Sequence, residues 1–252
     1  DRTFADPFNF DFRPQADAQN LESGKPHDDK GPYPYKRNIY YVSKGGSDDN
    51  EGLSAAHPWK KLDHAVKKLN PGDTLYIANG RYSLSTAINK ENVRIRGRGL
   101  GTPVIEGPLR LQDCEDLLFE RVQVSGSLQV TDTNDVRFED CVFDAESAAF
   151  HNTHRLEITH GLLTASLELS NCTAVELRGN LYAAVPALKT DALASLAFSG
   201  YNSYPQKTDC CHVDTTLLSF SALRTKRQDM HSRVISPVLT RSQGSLTVGN
   251  AH

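Results

Sequence analysis

Apolar residues alternate with polar ones in four segments that follow one another through the middle of the chain: LLFERVQV (117–124), VRFEDCVF (136–143), LEITHGLL (156–163) and VELRGNLY (175–182). They begin 19, 20 and 19 residues apart. The alternation in Leu117-x-Phe119, Val136-x-Phe138, Leu156-x-Ile158 and Val175-x-Leu177 is that of a strand with one buried face, not of a helix with its period of 3.6. A second column, Leu111, Val130, Phe150, Leu169 and Leu188, advances by 19, 20, 19 and 19, so two strand sets hold register over several turns. Self-similarity at about 20 residues signals a solenoid. The predicted fold is all-β, a right-handed, single-stranded parallel β-helix whose stacked strands lie ~4.8 Å apart, so that each column becomes a ladder of side chains.

At the bend between the strand sets a polar column reads Asp113, Asp132, Asn152, Asn171 and Thr190. Short polar side chains there can satisfy turn amides and bond one another along the stack, a structural role that needs no metal. Cys114 and Cys172 share the next column three turns apart, roughly 14 Å, which excludes a disulfide between them. Ahead of the coil, Pro58 to Asn70 places Trp59, Leu62, Ala65, Val66 and Leu69 on one helical face, and Pro71-Gly72 ends it. This predicts a helix capping the first turn, which would otherwise expose its core and strand edge.

The stretch from Tyr40 to Tyr82, YYVSKGGSDDNEGLSAAHPWKKLDHAVKKLNPGDTLYIANGRY, resembles the N-terminal module of secreted pectate-lyase-like β-helix proteins. Tyr201-Asn202-Ser203-Tyr204 and Gln228-Asp229-Met230-His231-Ser232 resemble the elements that close such coils. The resemblance implies the architecture and an extracellular location, but no single activity, because the same opening precedes lyases, hydrolases, epimerases and proteins of unknown role. Ala5 to Arg13 (ADPFNFDFR) and Gly31 to Tyr35 (GPYPY) also resemble closing segments, yet they come first. The expected division is therefore an N-terminal segment at 1–36, an opening strand and capping helix at 37–72, the coil at 73–205 and an extension at 206–252. The misplaced segment suggests further modules of a longer, tandem chain, or a strip lying along the flank of its own coil.

Composition narrows the partners. Twenty-eight basic against 31 acidic residues, a net charge of −3, argue against general affinity for nucleic acid or anionic membrane, and no apolar run approaches the ~18–20 residues of a membrane span. Five cysteines without a CxxC spacing signal neither a zinc site nor a disulfide framework. The sequon Asn171-Cys172-Thr173 would matter only in a eukaryotic secretory pathway. The acidic loop Gly46 to Gly52 departs from a calcium-loop pattern, and its residues are those of an ordinary turn. The histidines are scattered; His151, His154 and His160 fall in different columns.

The resemblance implies, for lyases, a Lys or Arg base beside a cation that neutralises the uronate carboxylate. No lysine occurs from 91 to 188, and Arg110, Arg121, Arg137, Arg155 and Arg178 make no repeated column, so no catalytic residue can be assigned. A hydrolase would need two suitably spaced carboxylates, and the coil offers several acids without singling out a pair. Outward positions are more informative. Leu118, Arg137, Glu157 and Glu176, with Glu120, Glu139, Thr159 and Arg178 beside them, form a charged strip. Its ordinary role is a solvated face; its functional role would be a groove for an extended sugar chain, with Arg137, Glu157, Glu176 and Arg178 as substrate contacts. Glu120 and Glu139, on adjacent turns ~5 Å apart, require an intervening cation, an arginine such as Arg137 or Arg178, or a shared proton; calcium is the candidate cofactor. Three classes fit: a secreted module recognising an acidic polysaccharide, an active polysaccharide lyase or glycoside hydrolase, and a structural surface module. Finally, Val142, Leu162 and Leu181, in the column of Gln123, should form an outward apolar stripe that something covers, whether the N-terminal aromatic segment, the tail after Pro205 or another subunit.

Overall fold

The computed structural model describes residues 4–6, 11–14, 37–192, 196–205, 210–214, 216–219, 221–222, 231–235, 238–242 and 245–249. Contacts divide the chain into two units, Asp1–Asn38 and Ile39–His252. In the first, Phe4–Asp6 and Asp11–Pro14 pair as an antiparallel hairpin. In its described residues the second is a parallel β-solenoid of about seven turns, with a short helix ahead of most of the coil.

Each full turn carries three strands. The first sheet stacks Ile39–Val42, Thr74–Ala78, Glu91–Arg98, Glu115–Glu120, residues 136–139 and 156–159, Val175–Arg178 and Leu196–Gly200. Its inward column, Leu75, Ile95, Phe119, Phe138, Ile158 and Leu177, is buried throughout, and Phe119 stacks on Phe138 with ring centroids 5.2 Å apart. The predicted register of this column holds pair by pair. The third sheet aligns Leu111, Val130, Phe150 and Leu169 as the second repeat requires, but pairs Leu169 with Thr190 rather than Leu188.

Single residues with left-handed backbone make the corners. Between the third and first sheets they come in pairs three apart: Asp113 and Asp116, Asp132 and Asp135, Asn152 and Arg155, Asn171 and Ala174, all with φ between 49° and 57°. Between the first and second sheets one residue suffices, at Arg121, Asp140, His160, Gly179 and Tyr201. Asp and Asn tolerate this conformation better than other side chains, which explains the polar column. Within it, Asn152 Nδ2 donates to Asp132 Oδ1, and Asn171 Nδ2 donates to Asn152 Oδ1 at 3.0 Å. The ladder does not continue at Thr190 as predicted, because Thr190 lies inside a strand and is buried. Asp191 takes over, accepting the Asn171 backbone N–H at 2.6 Å.

Between each pair of left-handed residues one small polar side chain points inward and bonds the carbonyl two residues earlier: Cys114 to Gln112, Thr133 to Thr131, Thr153 to His151 and Cys172 to Ser170. Cys114 and Cys172 are unpaired thiols, as their spacing demands. Burial raises the Cys114 and Cys172 thiols above the usual range and pushes Cys141 up to about 12, so all three behave as core residues. At the other corner Asn180 Oδ1 accepts from Gly161 N–H at 2.8 Å, and Asn202 Oδ1 from Asn180 N–H at 2.9 Å. Ser232 Oγ accepts from Asn202 N–H at 2.8 Å, which draws part of the predicted closing elements into the stack; Gln228, Asp229 and Met230 lie outside the described residues.

The capping helix spans Leu62–Lys68, shorter than predicted, with Leu62, Ala65 and Val66 buried. Trp59 precedes it as a parallel bridge to Val42. The acidic loop before it is a structural latch. Asp48 Oδ1 accepts the N–H groups of Lys60 and Lys61 at 3.0 and 2.9 Å, and the Trp59 indole donates to Asn50 O at 2.7 Å. Gly52, at φ +73°, lies so close to the indole that a Cβ would meet it at 2.5 Å. Although burial opposes its charge, Asp48 is held below the usual carboxylate range by those two backbone donors. The stripe at Gln123, Val142, Leu162 and Leu181 is in register and largely withdrawn from solvent: Gln123 and Leu162 are buried, Val142 and Leu181 half-buried. Phe8 and Phe10, offered as its cover, lie outside the described residues.

Phe138→Ala removes a ring at the centre of the stack and is expected to cost about 3–5 kcal/mol in urea unfolding. Ala174→Gly relieves a left-handed alanine and should stabilise by roughly 0.5–1 kcal/mol; an unchanged midpoint for either variant would contradict this account of core and corners.

Candidate functional site: the outer face of the first sheet

Alternation that turns Phe119, Phe138, Ile158 and Leu177 inward sends their neighbours out in two columns. One runs Thr74, Arg94, Leu118, Arg137, Glu157, Glu176 and Phe198, the other Tyr41, Tyr76, Arg96, Glu120, Glu139, Thr159 and Arg178. The strip predicted from sequence is therefore continuous, and it extends further in both directions than the repeat indicated. The added members are Tyr41, Tyr76, Arg94 and Arg96 at one end and Phe198 at the other. Sequence reasoning missed the first group because the step from Arg96 to Glu120 is 24 residues, not 19, and a search for a constant period passes over it.

The expected arginine partners of Glu120 are corrected. Arg96 Nε lies 2.8 Å from Glu120 Oε2, and Arg121 Nε 3.1 Å from Glu120 Oε1. Arg137 instead engages Asp116 and lies 3.6 Å from Asp135, while Arg155 bonds Asp135 at 2.8 Å. The left-handed corners present these aspartates beside the strip, so corner chemistry decides which cations stay available. Arg178 approaches Glu176 at 3.8 Å and lies over the Phe198 ring at 4.3 Å. Among the described residues no three His, Cys, Asp or Glu side chains converge as metal ligands would.

The strip is electrostatically polar along its axis. Toward the N-terminal turns Arg94, Arg96, Arg98 and Arg121 cluster, and Glu120, the carboxylate of the strip there, is engaged by Arg96 and Arg121. Toward the C-terminal turns Glu139, Glu157 and Glu176 adjoin Arg137 and Arg178. Burial first, then the Glu176 and Glu139 carboxylates, push the Glu157 carboxyl above its usual range against the pull of Arg137 and Arg178. A second concavity, of about 380 Å³, opens on the third sheet among His151, Glu168, Lys189, Asp191, His212 and Asp214. There Lys189 is tied to Glu168 at 2.6 Å and Asp191 to the corner ladder.

No protein-family model and no curated protein matches the chain. Among solved structures, a GH136 lacto-N-biosidase from Eubacterium ramulus aligns with a TM-score of 0.46 at 12% identity, over 67% of this chain and 44% of that one. A rhamnogalacturonan lyase aligns with a TM-score of 0.41 at 14% identity, over 78% and 62%. The chain thus spans less than two thirds of either protein.

Because its carboxyl titrates higher in the folded chain, Glu157 lowers stability where it is charged, above its folded pKa, and the penalty vanishes below its unfolded value. Glu157→Gln should stabilise at pH 7 by a few tenths of a kcal/mol, roughly 0.5 at most, with the difference from wild type closing as the pH falls toward 4. Thermal melts across that range check it; a mutant less stable at pH 7 would show that Glu157 is instead held as a needed anion.

Proposed function

We propose that this chain is a secreted β-helix module of the pectate-lyase-like kind that recognises an extended, acidic extracellular polysaccharide along the outer face of its first sheet. One observation supports this above the others: two in-register outward columns of charged and aromatic side chains run over successive turns, offering a repeating polymer a repeating surface. Arginine guanidinium groups suit carboxylates, and rings at both ends of the strip suit the apolar faces of sugars. Arg137, Glu157, Glu176 and Arg178 remain proposed contacts for the hydroxyl groups of such a chain, with the two glutamates accepting hydrogen bonds from them. Calcium between Glu120 and Glu139 is a further proposal, in competition with Arg96 and Arg121, which already engage Glu120.

A second reading, glycoside hydrolysis, draws on Glu157: burial and then the Glu176 and Glu139 carboxylates push its carboxyl above the usual range, the direction in which a general acid is tuned.

Calorimetry with polygalacturonate oligomers and neutral counterparts tests recognition. Binding of the acidic series alone, weakening with salt, is expected; equal binding of both series, or of neither, removes the acidic-polymer reading. Calcium titration of wild type and Glu139→Gln belongs with it, since no heat on the wild type ends the metal proposal. Release of reducing ends by wild type but not by Glu157→Gln would promote the hydrolase reading, and new ultraviolet absorbance from unsaturated ends would point to a lyase.

A further inference from the structure

Resting on the polysaccharide reading, we infer that the acidic sugar is held at the N-terminal end of the strip, on Arg94 beside the Tyr41–Tyr76 pair, rather than at Arg137 to Arg178. Arg94 is half-buried between Val93 and Ile95, both in the core, so its side chain is directed onto the outer face. Its in-register neighbours are Thr74 and Leu118, neither of which can neutralise a guanidinium. Among the described residues Arg94 has no side-chain hydrogen bond or ion pair. The other strip arginines are engaged: Arg96 and Arg121 by Glu120, Arg137 by Asp116 and Asp135, Arg178 by Glu176 and Phe198.

Stacking adds shape. Tyr41 and Tyr76 lie ring over ring at 5.7 Å, tilted by 22°, in the column beside Arg94, and the Arg98 guanidinium lies over Tyr41 at 5.2 Å. Arg94, Arg96 and Arg98 alternate on one strand, so they present positive charge at intervals of roughly 6.6 Å. A half-buried cation without a counterion among the described residues, with a stacked tyrosine pair in the adjoining column, fits a carboxylate-bearing pyranose: the carboxylate meets Arg94 and the ring lies against tyrosine. The C-terminal half disfavours the same ligand, because Glu139, Glu157 and Glu176 repel it and its arginines are already engaged.

The test is calorimetry of a galacturonate pentamer on wild type, Arg94→Gln, Arg94→Lys and Arg110→Gln, with melting temperatures measured alongside. Arg94→Gln should weaken binding at least tenfold and flatten its salt dependence, while its melting temperature stays at the wild-type value because no internal bond is lost. Arg94→Lys should recover part of the affinity, and Arg110→Gln, which removes an exposed arginine from the third sheet, should change it less than twofold. A wild type that binds while Arg94→Gln binds equally well overturns the inference and leaves polysaccharide recognition standing; a wild type that binds no acidic oligomer overturns both.

Discussion

Everything in the coil depends on turning the chain through a corner without breaking the parallel hydrogen-bond ladder. A strand stacked ~4.8 Å above its predecessor can repeat only if each corner consumes nearly the same length in every turn. One left-handed residue, or two spaced by three, does this with the fewest atoms. Spacing along the sequence is the direct consequence: where corners are minimal the steps are 19 or 20, and the inward columns stay aligned from Phe119 to Leu177. Corner amides left over are taken up by the Asp and Asn ladder outside and by Cys114, Thr133, Thr153 and Cys172 inside.

This constraint also determines what could be read from sequence. Strand columns were legible because burial on one face enforces period two and stacking enforces period 19 to 20. Corners were half legible. Asp113, Asp132, Asn152 and Asn171 look like turn residues, whereas Arg121, Arg155, His160 and Ala174 adopt the same left-handed conformation without any compositional signal, because position in the stack overrides preference. The misplacement of Thr190 has the same origin, since the turn after Leu169 is longer and shifts the pairing by two residues. Ion-pair partners were least legible. Arg96 reaches Glu120 across a 24-residue step, and Arg137 turns aside to corner aspartates that belong to no strand repeat.

The candidate site inherits its charge pattern from this geometry. Corner aspartates Asp116 and Asp135 sit beside the middle of the strip and capture Arg137 and Arg155, leaving Glu139, Glu157 and Glu176 with too few cations. Near the first turns the equivalent corner residue is Asn92, which is uncharged, and the Arg94 side chain has no partner among the described residues. A difference of one side-chain charge at a bend therefore distinguishes the end proposed to accept an anion from the middle of the strip.

Minimal corners have a further effect on chemistry. Across the described turns 109 to 182 the bends beside the first sheet are short, and although Leu118 and Thr159 are buried, the charged side chains of the strip stay partly exposed, where a single arginine–carboxylate pair contributes at most about 1 kcal/mol. Catalysis by charge stabilisation needs a site shielded from solvent, in which such pairs gain strength. Recognition of a polymer does not. When one chain engages several turns at once, each added contact forms at high effective concentration, and modest exposed interactions combine into useful affinity. A partly exposed, axially polar strip thus suits the proposed holding of a long anionic chain better than its cleavage, and the charge gradient would set the direction in which such a chain lies.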